Sequence, residues 1–184
     1  MTLRNITCAV TLCLLTLSGQ AVGKTEVPPY KNKSLSIEKR VDDLMGRMTL
    51  REKVLQLQNR GAGRLDEIDR IFNGESFGCT HEMGTTAAEC ATMYKELQQY
   101  MLTKTRLGIP IITSAEGIQG ILQNNCTLFP HALAQGSTFN PALIQRMTEA
   151  AGEEAKVIGI HQILSPVLDI ARELRWGRVE ETFG

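Results

Sequence analysis

The sequence predicts an α/β fold built on a parallel sheet. Two observations carry that reading: a helix-periodic segment runs into a short apolar run twice, and each run is apolar at consecutive rather than alternate positions. Strands of that kind are buried on both faces, as parallel strands between helices are.

The elements follow in order. Residues 24–34 are polar, carry Pro28-Pro29 and read as an extended lead-in. From Ser36 onward, Ile37, Val41, Leu44, Met45 and Met48 recur at helical spacing, with Ser34 or Ser36 available as cap. Thr49-Leu50-Arg51-Glu52 is a capping box that opens a second helical stretch through Val54, Leu55 and Gln58. Residues 59–84 read as Gly-rich loop with a short amphipathic piece over 65–72; Gly61 and Gly63 follow a helix and lack the third glycine of a dinucleotide loop. Thr85 or Thr86 begins the longest helix, with Ala87, Cys90, Ala91, Tyr94, Leu97, Met101 and Leu102 on one side. The first buried-strand candidate is 109–113. Asn140-Pro141 opens the last helix, which places Leu143, Ile144, Met147, Ala150, Ala151 and Ala155 on its apolar side and ends at Gly159. The second strand candidate, 160–168, follows directly.

Composition excludes several function classes. The 184 residues carry 20 basic and 20 acidic side chains, a net charge of zero, which argues against a nucleic-acid binder. Hydrophobic residues at 42% and charged residues at 22% are globular proportions, so a disordered or collagen-like chain is excluded. Residues 1–23 stand apart: Arg4, then an apolar run over 6–17, then Ser18, Gly19, Ala21 and Gly23. A bilayer span needs about 20 apolar residues, so the run is too short for one and reads as a cleavable signal peptide with Ala21-Val22-Gly23 at the cleavage site. The expectation is a secreted, extracellular protein with no membrane contact after cleavage. Export leaves Cys79, Cys90 and Cys126, for which one bridge and one thiol is the simplest arrangement, the pairing being open. It also gives meaning to two glycosylation sequons, at Asn32 and Asn125. Cys79-Thr80-His81 with Cys90 makes no complete metal-ligand set, so no metal and no cofactor are expected.

In parallel α/β folds the chemistry lies past the C-terminal ends of the strands. Two segments occupy that place. In Ser114-Ala115-Glu116-Gly117-Ile118-Gln119-Gly120 an acid leaves a strand and glycines let the backbone turn toward a ligand. In the second, Ser165-Pro166-Val167-Leu168-Asp169 precedes Arg172, Arg175-Trp176-Gly177-Arg178 and Glu180-Glu181, where a ring face and guanidinium forks suit a sugar. On spacing alone, a strand-end acid such as Glu116 is more often a loop or cap acid, arginines beside glutamates are more often in ion pairs, and His131 and His161 default to structural histidines.

The ordered set Met48-Thr49-Leu50-x-Glu52-Lys53, Arg106-Leu107-Gly108-Ile109-Pro110-Ile111, Glu116-Gly-Ile-Gln-Gly120, Phe129-Pro130, Thr138-Phe-Asn140-Pro141, Ser165-Pro166-Val167-Leu168-Asp169 and Arg175-Trp-Gly-Arg178-Val-Glu180-Glu-Thr-Phe-Gly184 resembles the N-terminal domain of glycoside hydrolase family 3 over residues 35–184. Its tryptophan-glycine-arginine element is similar to the β-glucosidase and β-xylosidase branch. The resemblance implies an incomplete (β/α)8 TIM-type barrel and retaining hydrolysis of β-linked glucosides or oligosaccharides by an exo-acting enzyme. It implies that Glu116 binds a hydroxyl of the non-reducing sugar and that Arg178 helps clamp that sugar, chemistry that suits an acceptor carboxylate and a planar donor. Gln119 departs from the family's more usual His, and Trp176 is expected to pack rather than stack.

No catalytic residue is expected within this chain. The family's nucleophilic Asp and its Lys-His motif come later in the sequence and its acid/base in a following domain, and Glu116 with Asp169 makes no substitute pair, because the resemblance gives the first to binding and the second to structure. A whole barrel takes about 250 residues, so the chain reads as an N-terminal fragment that needs the C-terminal part of the same polypeptide. The alternative is a catalytically inactive truncated product that at most binds carbohydrate or a partner. The signal-peptide reading is checked by mass spectrometry of the exported product, whose new N-terminus is expected between about Ala21 and Thr25; an intact Met1 on cytosolic protein would contradict it.

Overall fold

The computed structural model describes residues 27–61, 63–81 and 86–184, so the expected signal peptide lies outside the described residues. The chain divides into two compact units, 1–44 and 45–184, with the boundary inside helix α1 (Ile37–Arg47). In the first unit a short 3-10 turn, Pro29–Lys31, stands where the extended lead-in was expected. It is tied to the helix by Tyr30 N–H donating to Asp43 Oδ2 (3.1 Å) and by Arg40 Nε donating to the Tyr30 carbonyl (3.0 Å).

The second unit opens with α2 (Leu50–Leu55), whose capping box is the one the sequence spells: Glu52 N–H donates to Thr49 Oγ1 and Thr49 N–H to Glu52 Oε2. After α2 the chain runs beside the first strand, Cys79 N–H donating to the Gln58 carbonyl and Arg60 N–H to the Cys79 carbonyl. The presumed loop 59–84 thus holds three pieces of structure. These are a 3-10 turn at Leu65–Glu67 that continues into α3 (Ile68–Phe72), where the amphipathic piece was expected, and the unforeseen strand β1 (Cys79–His81). β1 escaped the sequence reading because Cys-Thr-His is short and polar.

Helix α4 (Ala87–Lys104) carries β1 over to β2 (Ile112–Glu116), and α6 (Pro141–Ile158) carries β2 to β3 (Gln162–Leu164); a short α5 (Ala132–Gly136) precedes α6. Thr86 caps α4 with a second capping box, Asn140 caps α6 through Leu143 N–H, and Gly159 ends α6 at φ +91°, a left-handed conformation that glycine adopts without strain. The sheet is parallel in the order β1-β2-β3, with Thr80 beside Thr113 and Ala115 beside Ile163.

Neither strand coincides with its apolar run: β2 starts three residues later than 109–113, and β3 is shorter than 160–168. Pro110 has no N–H, and the Gln98 amide from α4 takes both backbone groups of Ile111, donating to its carbonyl (2.5 Å) and accepting its N–H (3.2 Å), so ladder pairing begins only at Ile112. At β3, Ile160 N–H closes the α6 terminus on Ala155, and Pro166 has no N–H to continue the ladder.

The sheet is also less buried than two-sided strands would be. One face, with Thr80, Thr113 and Ala115, packs on α4 and α6 against a core of Phe72, Phe77, Tyr94, Leu97, Met101 and Ile158. Within α4 the buried stripe includes Met93 and Tyr100, while Leu102 stays exposed. The opposite face presents Ile112, Ser114 and Glu116 from β2 and Gln162 and Leu164 from β3; Ile112 and Leu164 are exposed. The three cysteines Cys79, Cys90 and Cys126 are present as thiols. Burial, then Glu154 and Cys90 nearby, push the Cys126 thiol above its ordinary value.

Glu52 does double work, as cap and as ion-pair partner. Arg106 donates to both of its carboxylate oxygens (2.8 and 2.5 Å) and to the Arg47 carbonyl (2.8 Å), tying the start of α2 to the chain after α4. Hydrogen bonding from Arg106, aided by Thr49 and opposed by burial, holds the Glu52 carboxyl at about 2 instead of 4.5. A carboxyl depressed in the folded state stabilises the fold above its unfolded value and loses that contribution as pH falls from about 4.5 toward about 2. Denaturant melts of wild type and Glu52→Gln should therefore differ at pH 7, with a gap that narrows steadily as pH falls below about 4.5; a gap unchanged between pH 7 and pH 2 would mean the interaction is not ionic.

Candidate functional site

β2 ends in Glu116, level with the end of β3 at Leu164, while β1 ends two residues short of it. Period-two alternation puts Ser114 and Glu116 on the sheet face away from the helices, and register sets His81 beside Ser114. His81 Nε2 lies 3.9 Å from Glu116 Oε1, and both side chains are about one-third exposed, at 33% and 37%. His81 Nδ1 is 3.2 Å from Ser114 Oγ, which in turn donates to the Thr80 carbonyl (2.9 Å). Tyr94, from the core side, donates to the Ser114 carbonyl (3.3 Å). Glu116 therefore stands on a strand end pinned by both neighbouring strands and by a core tyrosine.

The loop after Glu116 is held by its own backbone. Phe129 N–H donates to the Gln119 carbonyl (2.8 Å), and the buried Gln135 amide donates to the carbonyls of Pro130 (2.7 Å) and Ile118 (3.4 Å). Gly120 sits at φ +97°, and a Cβ there would lie 2.3 Å from the Thr127 carbonyl oxygen. Gln119, the residue that departs from the family pattern, keeps its side-chain Oε1 buried with no hydrogen-bond partner among the described residues. Under this loop lies an apolar cavity of about 310 Å³, lined by Ile118, Phe129, Ile144, Met147, Ile163 and Phe183. Glu116 is not on its wall, and its lining is mostly apolar, with Gln135, Thr148 and Ser165 as its polar side chains, so the more polar sheet face is the better candidate.

Arg178 is engaged in an ion pair. Its Nε and Nη2 donate to the two carboxylate oxygens of Glu181 (2.7 and 2.5 Å). Glu181 raises the guanidinium pKa first and most, with Glu116 and Asp169 adding attraction at longer range, and Arg178 in turn lowers the Glu181 carboxyl. Arg175 is paired with Glu173. Trp176 is half-buried. His161 is structural, its Nδ1 accepting from Thr113 N–H (3.3 Å), while His131 is exposed at the start of α5. Of the two sequon asparagines, Asn32 is exposed with its Oδ1 accepting from Ser34, and Asn125 is exposed at φ +75°. His81 beside Glu116 is not foreseeable from the sequence, because the short polar strand that positions it carries no strand pattern. Among the described residues there is no metal-ligand cluster and no helix long and apolar enough to cross a membrane.

The family model "Glycosyl hydrolase family 3 N terminal domain" matches residues 49–184. A putative beta-xylosidase of Formosa agariphila is 34% identical over 175 residues, covering 87% of this chain and 23% of that protein. Beta-glucosidase C of Emericella nidulans is 32% identical over 177 residues, covering 86% and 28%. Among solved structures, a b-glucosidase from Erythrobacter marinus superposes with a TM-score of 0.67 at 29% identity, over 85% of this chain and 22% of its own. A mutant beta-glucosidase from Listeria innocua in complex with laminaribiose gives 0.63 at 28%, over 82% and 21%. The chain thus spans about a quarter of the length of the curated relatives it matches.

The Gly120 geometry has a measurable consequence. Gly120→Ala should lower stability by more than ~1 kcal/mol, since it adds a backbone clash to the left-handed strain. Hydrogen exchange should show the loop after β2 opening while α4 stays protected; a variant as stable as wild type would mean the loop is not seated as described.

Proposed function

The chain belongs to glycosyl hydrolase family 3, and from that premise we propose that it forms the sugar-holding front of a secreted, β-glucosidase-like retaining glycosidase. The observation that carries this reading is Glu116 at the C-terminal end of the central parallel strand, followed by a glycine-built loop and with His81 on the neighbouring strand 3.9 Å away. A carboxylate there accepts hydroxyl protons from a β-linked glucoside or oligosaccharide, and a guanidinium nearby donates in a fixed plane. Retaining hydrolysis needs a nucleophile and an acid/base about 5 to 5.5 Å apart. In this proposal both are supplied by further sequence of the same polypeptide, and Glu116 and Arg178 bind without reacting.

Binding by Glu116 acts on rate as well as on affinity. A hydrogen bond to a charged group contributes about 1.5 to 3 kcal/mol, and hydroxyl contacts tighten as the ring flattens toward the oxocarbenium-like transition state. In an enzyme that carries these residues together with the catalytic ones, Glu116→Gln should lower kcat/KM for an aryl β-glucoside by roughly ten- to hundredfold, with the melting temperature little changed. Arg178→Lys should also lower it, because an ammonium cannot reproduce the planar fork. A purely structural Glu116 gives the reverse pattern, a lower melting temperature with kcat/KM intact, and that result would falsify the sugar-binding role.

A further inference from the structure

We propose that His81 is a second sugar-contacting residue, accepting the hydroxyl adjacent to the one that Glu116 accepts. The inference rests on the reading of Glu116 as a sugar ligand and extends it to a residue on the neighbouring strand.

The argument is one of proton bookkeeping. A carbonyl oxygen only accepts, so the contact between Ser114 Oγ and the Thr80 carbonyl (2.9 Å) consumes the single hydroxyl proton of Ser114. Toward His81 Nδ1, 3.2 Å away, Ser114 Oγ is left to act as acceptor, and Nδ1 must carry the proton. The neutral imidazole then has its lone pair on Nε2, the atom beside Glu116 Oε1. At 3.9 Å the two atoms are too far apart to share a direct hydrogen bond. They stand instead as two acceptors side by side, on the solvent-accessible face of the sheet at the strand ends. Neighbouring hydroxyls of a pyranose present two donors on adjacent carbons, and the pair of acceptors suits such a vicinal diol, one proton to each.

The backbone makes this arrangement stiff. His81 lies on β1 in register with Ser114, and Ser114 is fixed through its side chain to β1 and through its carbonyl to Tyr94. Imidazole and carboxylate are therefore held by two paired strands and not by a loop, which favours discrimination between sugar hydroxyls.

The test uses the full chain with ¹⁵N-labelled histidine, and glucose and xylose as probes. Long-range ¹H–¹⁵N spectra should show His81 as the Nδ1–H tautomer, and sugar should move its Nε2 resonance while those of His131 and His161 stay in place. His81→Ala should weaken glucose binding about three- to tenfold. A series of monodeoxyglucoses should contain one sugar that wild type binds more weakly and that His81→Ala no longer distinguishes from glucose, while Glu116→Gln loses discrimination at the adjacent position. Ser114→Ala, which removes the acceptor that fixes the tautomer, should shift the imidazole toward Nε2–H and weaken glucose binding without touching the sugar itself. An Nε2–H tautomer in wild type overturns the inference alone, as does sugar binding that depends on Glu116 yet leaves the His81 resonance and the His81→Ala affinity unchanged. Absence of Glu116-dependent binding of either sugar overturns both this inference and the function it rests on.

Discussion

Everything that positions the site depends on the central strand β2 being paired on both sides while only one of its faces is covered by helices. Parallel strands need long crossovers, and α4 and α6 supply them and then pack side by side over Thr113 and Ala115. Two side chains of α4 reach the backbone of β2 and of the residue before it: Gln98 takes both polar groups of Ile111, and Tyr94 donates to the Ser114 carbonyl. A lateral shift of β2 would strand those buried groups, at a cost of about 1 to 3 kcal/mol for each one left unsatisfied. The strand end is thereby fixed in position, and so is Glu116.

The uncovered face follows from the same constraint. Side chains alternate along a strand, so committing Thr113 and Ala115 to the core commits Ile112, Ser114 and Glu116 to the other side. That side mixes polar and apolar groups, and β3 pairs only with β2 among the described residues. The three-stranded parallel sheet superposes on part of the solved β-glucosidases, over most of this chain and about a fifth of theirs.

The sequence spoke most clearly where structure is written locally. Thr49 and Glu52, Thr86 and Glu89, and Asn140 with Pro141 mark helix starts through contacts within one turn, and each does what its residue types require. Strand limits were harder to read because non-local partners set them: nothing in 109–113 announces that Gln98 will occupy Ile111. β1 was invisible for a related reason. A three-residue polar strand exists only because β2 lies beside it, and without β1 there was no ground for setting His81 next to Glu116. The motifs marked Glu116 and Arg178, but not that Glu181, three residues on, would grip the guanidinium.

That grip bears on how the arginine would serve a ligand. Glu181 occupies Nε and one N–H of Nη2, the side-on mode, which leaves the outer N–H donors of the fork to be directed elsewhere. An exposed pair of this kind is screened by solvent and adds little to stability. Its physical effect is instead to reduce the orientations open to a long side chain. A donor that is already oriented gives up less entropy when it meets a hydroxyl than one that must first be immobilised. The ion pair is thus compatible with the proposed sugar-clamping role of Arg178, in which Glu181 would act on a ligand only through the direction it gives the guanidinium.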